Sequence, residues 1–283
     1  MKIVRHGERG RERPGLLEAD GVIRDLSGII SDWTPAELEP ATLARVAAVD
    51  LKRRPVVPAG TRLGIPVNGI AKFIAIGLNY SDHARESGLT APTEPVVFTK
   101  AISCLTGPDD PVMLPRGSVK SDWEVELGVV MGRRARYLEK HQALSHVAGY
   151  CLINDVSERE YQLERGGTWD KGKGCDTFGP TGPWLVSTDE IADPQTLDLW
   201  LEVNGVRHQH GSTAHMIFPV AELVAYVSAF MTLEPGDLIA TGTPAGVGMG
   251  MKPPVYLRAG DRMRLGSSRL GIQEHAVVAW SDA

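Results

Sequence analysis

Two glutamates separated by a single residue are the first candidates for chemistry in this sequence. Glu124 and Glu126 lie in the run 121–127, whose residue types are typical of a β-strand. Because side chains alternate along a strand, both carboxylates would lie on one face. Neighbouring carboxylates repel each other, and a divalent cation between them would remove that cost. For this pair alone, a solvent-facing strand edge is the alternative explanation.

A third carboxylate follows another apolar run. Asp155 comes directly after residues 147–153, which read as a buried strand. An acid in that position caps a turn in some proteins and lines a site in others. Three carboxylates without a thiolate favour Mg²⁺, Mn²⁺ or Ca²⁺ over zinc. Three protein ligands on an octahedral Mg²⁺ leave positions for water and for a bidentate substrate.

Two further segments carry groups that a metal-assisted reaction needs. His83 and Glu86 are three residues apart, so a helical turn here would bring them into contact. A carboxylate beside an imidazole raises its pKa and makes it a good general base. Lys173 lies between two glycines that would let the backbone approach a ligand. An exposed helical turn and an exposed loop are the alternatives for these two segments.

The elements that must position these residues are mostly strands. Short apolar runs between turn residues predict them. They lie at 2–5, 21–26, 73–78, 96–99, 125–131, 147–153, 184–187, 197–203, 237–240, 261–265 and 275–280. Asn204-Gly205 predicts a hairpin turn. Capping residues predict a helix over 35–46, and an apolar stripe predicts another over 220–231.

This distribution predicts an α+β fold that is mostly β. Helices are few and do not alternate with strands, which argues against a doubly wound sheet or an eightfold α/β barrel. Prolines and glycines between residues 55 and 66 indicate a linker. We therefore expect a small N-terminal α+β domain at 1–65 and a second domain at 66–283.

Composition restricts the classes of function. The 283 residues include 30 Lys and Arg against 35 Asp and Glu, a formal charge of −5. This balance disfavours nucleic-acid and membrane-surface binding. No apolar run approaches the roughly 20 residues that span a bilayer. Three widely spaced cysteines predict neither a disulfide framework nor a zinc ribbon. We expect a soluble, cytoplasmic protein without nucleic-acid or membrane partners.

Dinucleotide, Walker A, zinc-protease and serine-hydrolase motifs are absent from the sequence, but a different set of motifs is present. In chain order they are G-x-N-Y-x-x-H-x-x-E, P-V-x-F-x-K, D-W-E-x-E-L, an Asp after G-Y, G-K-x-x-D-T-F-G-P-x-G-P-W and T-G-T-P-x-G-V-G. This order resembles the fumarylacetoacetate hydrolase family over about residues 70–280. The resemblance implies a C-terminal mixed β-roll of two sheets, a small N-terminal domain, a homodimer and a Mg²⁺ or Mn²⁺ ion.

The resemblance also implies roles for individual residues. Metal ligands correspond to Glu124, Glu126 and Asp155, and a water-activating pair on a mobile lid corresponds to His83 and Glu86. The lysine that contacts the substrate's carbonyl or carboxylate corresponds to Lys173. Substrate-binding positions correspond to Tyr80, Lys100, Arg159, Gln162 and Thr243. The animal tyrosine-degrading enzyme has an extra metal aspartate near the position of Leu78, so the chain resembles instead the bacterial acylpyruvate-type branch.

Within that branch the sequence most resembles 2,4-diketo-3-deoxy-rhamnonate and -fuconate hydrolases. The implied reaction is metal-dependent hydrolysis of the C3–C4 bond of an acylpyruvate, giving pyruvate and an acid such as lactate. In it, His83, oriented by Glu86, takes a proton from water, and hydroxide attacks the C4 carbonyl. Two alternatives stay open. One is another enolate reaction, such as oxaloacetate decarboxylation, ketoacid tautomerisation or a ureidoglycolate-type lyase step. The other is noncatalytic ligand binding.

Overall fold

The computed structural model describes residues 1–86 and 90–282, apart from the side chains of residues 83–85. Strands dominate this part of the chain. They are β1 (Lys2–His6), β2 (Arg13–Leu17), β3 (Ile23–Asp25), β4 (Phe73–Gly77), β5 (Val96–Thr99), β6 (Leu105–Thr106), β7 (Val112–Met113), β8 (Ser121–Asp122), β9 (Val125–Met131), β10 (Val147–Asn154), β11 (Ser157–Glu158), β12 (Gly179–Ser187), β13 (Asp198–Val203), β14 (Val206–Ser212), β15 (Leu238–Ala240), β16 (Arg262–Ser267) and β17 (Gly271–Val278). The α-helices are α1 (Pro40–Ala47), α2 (Ser81–Glu86), α3 (Lys140–Ala143), α4 (Arg159–Leu163), α5 (Asp170–Lys173) and α6 (Val220–Phe230).

The largest sheet in the described ranges has ten strands. Its order is β3-β2-β1-β12-β10-β9-β15-β4-β5, and β6 pairs with β12 beside this path. The pairs are antiparallel except β15 with β4 and β6 with β12. A second sheet has the order β14-β13-β16-β17-β7, and β8 pairs with β11. Open mixed sheets with short helices confirm the predicted α+β, mostly β class.

The first strands of the chain continue the large sheet. β1 pairs with β12 in the register Lys2↔Val186 and Ile3↔Leu185, and β2 and β3 follow β1 at the sheet edge. Ile3 and Trp33 are fully buried in the same hydrophobic core as the central strands. The N-terminal segment is therefore joined to the rest through hydrogen bonds and a shared core, and the domain boundary at residue 65 stays a prediction.

The helix predicted over 35–46 is broken in the structure. A 3₁₀ helix at Pro35–Leu38 is followed by α1 at Pro40–Ala47, and Glu39 between them is extended, with φ −63° and ψ 141°. The residue before a proline is disfavoured in the α conformation, and Pro40 has no N–H to continue a helix. The single-helix prediction was therefore wrong at this position.

Other local predictions are confirmed. Asn204 and Gly205 have φ angles of 51° and 78° and connect β13 to β14 as a hairpin. The apolar stripe forms α6 and buries Val220, Leu223 and Val227. None of the helices in the described residues is both long and apolar enough to cross a membrane.

Candidate metal centre and active site

The predicted carboxylates lie where two neighbouring strands of the large sheet are interrupted together. β9 and β10 are antiparallel, and Glu126 lies opposite Ile153. Just before β9 the backbone N–H of Asp155 donates to the carbonyl of Glu124 at 2.9 Å. The strand predicted over 121–127 is therefore split into β8 and β9 at this point, and the interruption brings Glu124 beside Asp155.

The three acids form one cluster. One carboxylate oxygen from each of Glu124, Glu126 and Asp155 lies within 4.8 Å of the others. All three side chains are buried, and Glu126 is 1% exposed, which excludes the solvent-facing strand edge. The spacing of two residues across the start of β9 thus places both glutamates on one face, as the sequence predicts.

Glu126 is the member of the cluster that most requires a cation. It accepts a hydrogen bond from the Gly242 N–H at 2.8 Å, but it has no ion pair with any described residue. Burial, followed by the charges of Asp155 and Glu124, raises the pKa of Glu126 well above its usual range. A hard divalent ion would offset this repulsion, so the oxygen donor set fits Mg²⁺ or Mn²⁺.

Two lysines neutralise the other two acids. Lys173 Nζ lies 2.7 Å from Glu124 Oε2 and 2.8 Å from Asp155 Oδ2. Although burial opposes the charged form, Asp155 and Glu124 raise the pKa of Lys173, so the residue is an ammonium ion. Lys100 Nζ donates to Asp155 Oδ1 at 2.5 Å and to the carbonyls of Val156 and Lys173. All three Lys100 protons therefore have acceptors within the protein.

Arg159 is the third cation of the site. It begins α4, and its Nη2 lies 2.7 Å from Glu124 Oε1. Its Nη1 donates to Gln162 Oε1 at 3.0 Å, and its Nε donates to Asp122 Oδ2 at 2.8 Å. Burial disfavours the guanidinium, but the charges of Asp122 and Glu124 outweigh it and raise the pKa of Arg159.

The charges of this site nearly balance without a metal. The described groups of the acid cluster and its ion pairs are four carboxylates and three cations: Asp122, Glu124, Glu126, Asp155, Lys100, Arg159 and Lys173. Their formal sum is −1, and a divalent ion would change it to +1. A buried site with one excess positive charge attracts an anion.

The cluster opens into a cavity of about 600 Å³. The predicted site residues that line it are Glu86, Glu124, Glu126, Arg159, Gln162, Lys173 and Thr243. Asp155, Lys100 and Tyr80 are buried but do not line it. The hydroxyl of Tyr80 has no hydrogen-bond partner among the described residues, and burial together with the charge of Glu126 raises its pKa.

Thr243 lines the cavity with its hydroxyl already engaged. Its Oγ1 donates to the Val125 carbonyl at 2.8 Å and accepts from Gln209 Nε2 at 2.7 Å. The single hydroxyl proton therefore tethers the T-G-T-P segment to β9. The role of Thr243 in holding a substrate carboxylate stays a prediction.

The predicted water-activating pair is described only in part. Its backbone is helical, since α2 spans Ser81–Glu86, as the spacing of the pair predicts. The side chain of His83 and residues 87–89 lie outside what the structure describes, so the role of His83 stays a prediction. Both carboxylate oxygens of Glu86 accept from the Gly246 N–H at 3.0 Å. A Cβ at Gly250 would lie 2.6 Å from Glu86 Cδ, so this glycine admits the glutamate to the cavity wall.

Sequence reasoning missed Asp122 and misjudged Gly172. Asp122 is fully buried and accepts from Arg159 and from the N–H groups of Gly248 and Met249 at 2.7 and 3.0 Å. Its position two residues before Glu124 in D-W-E-x-E-L was the available signal. A Cβ at Gly172 would lie 2.5 Å from the backbone nitrogen of Gln162, so this glycine lets α5 pack on α4 and does not approach a ligand.

Known proteins resemble this chain over nearly its whole length. The family model for the fumarylacetoacetate (FAA) hydrolase C-terminal domain matches residues 72–278. A protein of Burkholderia multivorans, whose name proposes that it is a hydrolase, is 58% identical over 274 residues. That match covers 96% of this chain and 97% of the relative.

Solved structures agree with the sequence matches. A fumarylacetoacetate hydrolase from Exiguobacterium antarcticum superposes with a TM-score of 0.88 at 38% identity, covering 99% of this chain and 100% of that one. A maleylpyruvate hydrolase from Sphingobium sp. SYK-6, in complex with manganese(II) and pyruvate, superposes with a TM-score of 0.82 at 30% identity and the same coverage. The family motifs, the mixed-sheet fold and the buried acid cluster agree with these matches. The chain therefore belongs to the fumarylacetoacetate hydrolase family.

Proposed function

We propose that the protein hydrolyses the C3–C4 bond of an acylpyruvate with the help of Mg²⁺ or Mn²⁺. The observation that carries this proposal is the contact of Lys173 with Glu124 and Asp155 beside the uncompensated Glu126. Hydrolysis of this bond releases pyruvate as an enolate, so negative charge develops on the oxygen at C2. A site with a buried ammonium and carboxylates that can hold a metal stabilises that charge.

The cluster residues would have two roles in this reaction, to hold the metal and to bind the substrate. A divalent ion held by Glu124, Glu126 and Asp155 would supply Lewis-acid stabilisation of the developing enolate. Lys173 and Arg159 line the cavity as permanent cations and would hold the anionic 1-carboxylate and 2-oxo group. Because both cations are already fixed by carboxylates, they need little reorganisation when charge develops.

Water activation is assigned to the helix α2. In the proposal His83 takes a proton from water, and the hydroxide attacks C4, which breaks the C3–C4 bond. Glu86 would orient the imidazole and stabilise its charged form. Glu86 lines the cavity and is held by Gly246, so its carboxylate is fixed at the place where the substrate would lie.

The same proposal includes the substrate, the oligomeric state and the cellular compartment of the enzyme. The motifs resemble those of the bacterial branch. On that ground, 2,4-diketo-3-deoxy-L-rhamnonate and -L-fuconate are substrates to assay, and each would give lactate as the second product. We also propose a cytoplasmic homodimer without nucleic-acid or membrane partners. Light scattering of the purified protein and fractionation of cells would test these two points.

One assay tests the proposed reaction directly. The protein is treated with EDTA and supplied with Mg²⁺, Mn²⁺ or no metal, and pyruvate release is followed with acetylpyruvate, longer acylpyruvates, the two deoxysugar derivatives and oxaloacetate. We expect metal-dependent cleavage of acylpyruvates, its loss in Glu126→Gln, and its retention in Glu8→Gln, whose side chain is 82% exposed. Full activity in a verified metal-free sample would contradict the proposal. Release from oxaloacetate alone would favour a decarboxylase.

A further inference from the structure

The cavity has an apolar wall as well as its charged cluster. Phe98 and Trp169 line it together with Leu163, Met249 and Met251. We propose that this wall binds the acyl group of the substrate, and that the enzyme therefore prefers acylpyruvates with unbranched alkyl or aryl acyl groups over hydroxylated ones. The inference rests on the proposed function and narrows its substrate class, since it disfavours the two deoxysugar derivatives, whose acyl group carries a hydroxyl.

The aromatic pair is connected directly to the charged cluster. The Phe98 and Trp169 rings form an edge-to-face pair with centroids 5.3 Å apart. Lys173 Nζ lies 5.3 Å from the centroid of the Phe98 ring. Trp169 directly precedes α5, whose last residue is Lys173. A ligand with its oxo acid at Lys173 would therefore place its remaining atoms beside these rings.

The backbone at the end of β4 makes room for the larger ring. A Cβ at Gly77 would lie 2.5 Å from Trp169 Cζ3, so Trp169 lies against the bare backbone of Gly77. Trp169 and Phe98 are each only half-buried, although both line the cavity. An apolar ligand group that covers them removes hydrocarbon surface from water, which favours binding by about fourfold per methylene.

Several polar groups near the wall are already hydrogen-bonded within the protein. Gln162 Oε1 accepts from Arg159, and the Thr243 hydroxyl donates to Val125. Glu86 accepts from Gly246 with both oxygens. A hydroxyl group that lies against Phe98, Trp169 or Leu163 would exchange water for apolar contacts without equivalent hydrogen bonds, which is unfavourable. The wall therefore favours an acyl group that carries no hydroxyl where it meets these side chains.

A binding series that does not depend on turnover tests the wall. Dissociation constants are measured by calorimetry, with Mg²⁺ present, for pyruvate, 2-oxopentanoate, 2-oxohexanoate, 2-oxooctanoate and the hydroxylated 2-oxo-3-deoxygluconate. We expect the constant to fall by about fourfold for each of the first methylenes and the hydroxylated acid to bind no better than pyruvate. Trp169→Ala should remove most of the dependence of the dissociation constant on chain length. Leu163→Ser should weaken this dependence on chain length to a smaller extent. Because Leu163 is 52% exposed, this variant should fold.

The control is Trp280→Ala, which removes an indole that is 40% exposed and does not line the cavity. It should leave the series unchanged. Constants that do not depend on chain length, or tighter binding of the hydroxylated acid, would overturn the inference. Acylpyruvates are then compared by kcat/KM in the same order. If binding tightens with chain length but no acylpyruvate is cleaved, the proposed hydrolysis is wrong and the apolar subsite is still supported.

Discussion

Asp122 and Arg159 form a buried ion pair that connects the acid cluster to the far wall of the cavity. Arg159 donates through Nε to Asp122 Oδ2 at 2.8 Å and also approaches Glu124. The same aspartate accepts from the N–H groups of Gly248 and Met249. One carboxylate therefore fixes both a cation of the site and the turn that carries part of the apolar wall, and we regard Asp122 as a positioning residue.

Replacing Asp122 with asparagine should weaken both the fold and the site. The amide carries no charge, so Glu124 would be the one carboxylate left beside Arg159, with Gln162 as a neutral acceptor, and the turn would lose a charged acceptor. We expect the free energy of unfolding to fall by about 1.5–3 kcal/mol. We also expect kcat/KM to fall by up to about 10²-fold, because the cation that binds substrate would be displaced. Urea unfolding and the dissociation constant for pyruvate measure the two effects separately.

Asp198→Asn is the matched control, since Asp198 accepts hydrogen bonds from Ser268 in an exposed loop. Its effect on stability should stay within about 0.5 kcal/mol. If Asp122→Asn lowers stability but leaves the dissociation constant and KM unchanged, then Asp122 supports the fold alone and does not position Arg159.

Glu126→Gln should separate metal binding from stability. The amide can still accept from Gly242, and it removes a buried charge that Asp155 and Glu124 repel. Without metal the variant should therefore be at least as stable as the native protein. With Mg²⁺ at 100 times its dissociation constant, the native protein should gain about 2.7 kcal/mol, and the variant should gain little. Thermal unfolding over a Mg²⁺ and Mn²⁺ titration checks this, and an equal gain in both proteins would remove Glu126 from the ligand set.

The acid cluster could be predicted because its geometry is local to two strands. A separation of two residues across the start of β9 places Glu124 and Glu126 on one face. Asp155 follows the end of β10, and antiparallel pairing brings that end beside Glu124, just before the start of β9. Alternation and strand ends are visible in a sequence, so this part of the site needed no knowledge of distant contacts.

Other features depend on contacts that no local pattern contains. Asp122 acts on Gly248 and Met249, which lie more than 120 residues away in the chain. The start of β12 at Gly179 was hidden by Pro180 and Pro183, because proline is disfavoured in strands. Its pairing with β6 and β10 overrides that preference through tertiary packing.

Lys173→Met should change metal binding and catalysis in opposite directions. The ammonium of Lys173 contacts Glu124 and Asp155, so it competes with a metal for the same carboxylates. Its removal should tighten Mn²⁺ binding, measured by calorimetry. The same change should lower kcat by about 10²-fold or more, because one fixed positive charge is lost where the enolate forms.

The control for this experiment lies on the same helix. Lys171 is exposed and donates to the carbonyls of Arg165 and Gly166, away from the acids. Lys171→Met should leave both the Mn²⁺ affinity and kcat close to those of the native protein. Weaker Mn²⁺ binding in Lys173→Met would show that the lysine supports the metal ligands and does not compete with the ion.

Variants of the α2 pair should distinguish hydrolysis from decarboxylation. If His83 activates water, His83→Ala should lower acylpyruvate cleavage by about 10²-fold or more. Oxaloacetate decarboxylation needs no attacking water, so its rate should fall much less. Glu86→Gln should act in the same direction, because a neutral amide stabilises the imidazolium less well. Asp155→Asn should lower both rates, since both reactions pass through an enolate at the acid cluster.

The measurement is a pair of rates for each variant, one on an acylpyruvate and one on oxaloacetate, at saturating Mg²⁺. Glu86 also accepts from Gly246, so Glu86→Gln could act by displacing the cavity wall. That effect would lower both rates by similar factors, whereas loss of water activation lowers hydrolysis selectively. Equal losses in His83→Ala would indicate that His83 positions the substrate. No loss in either reaction would show that the pair does not activate water in this protein.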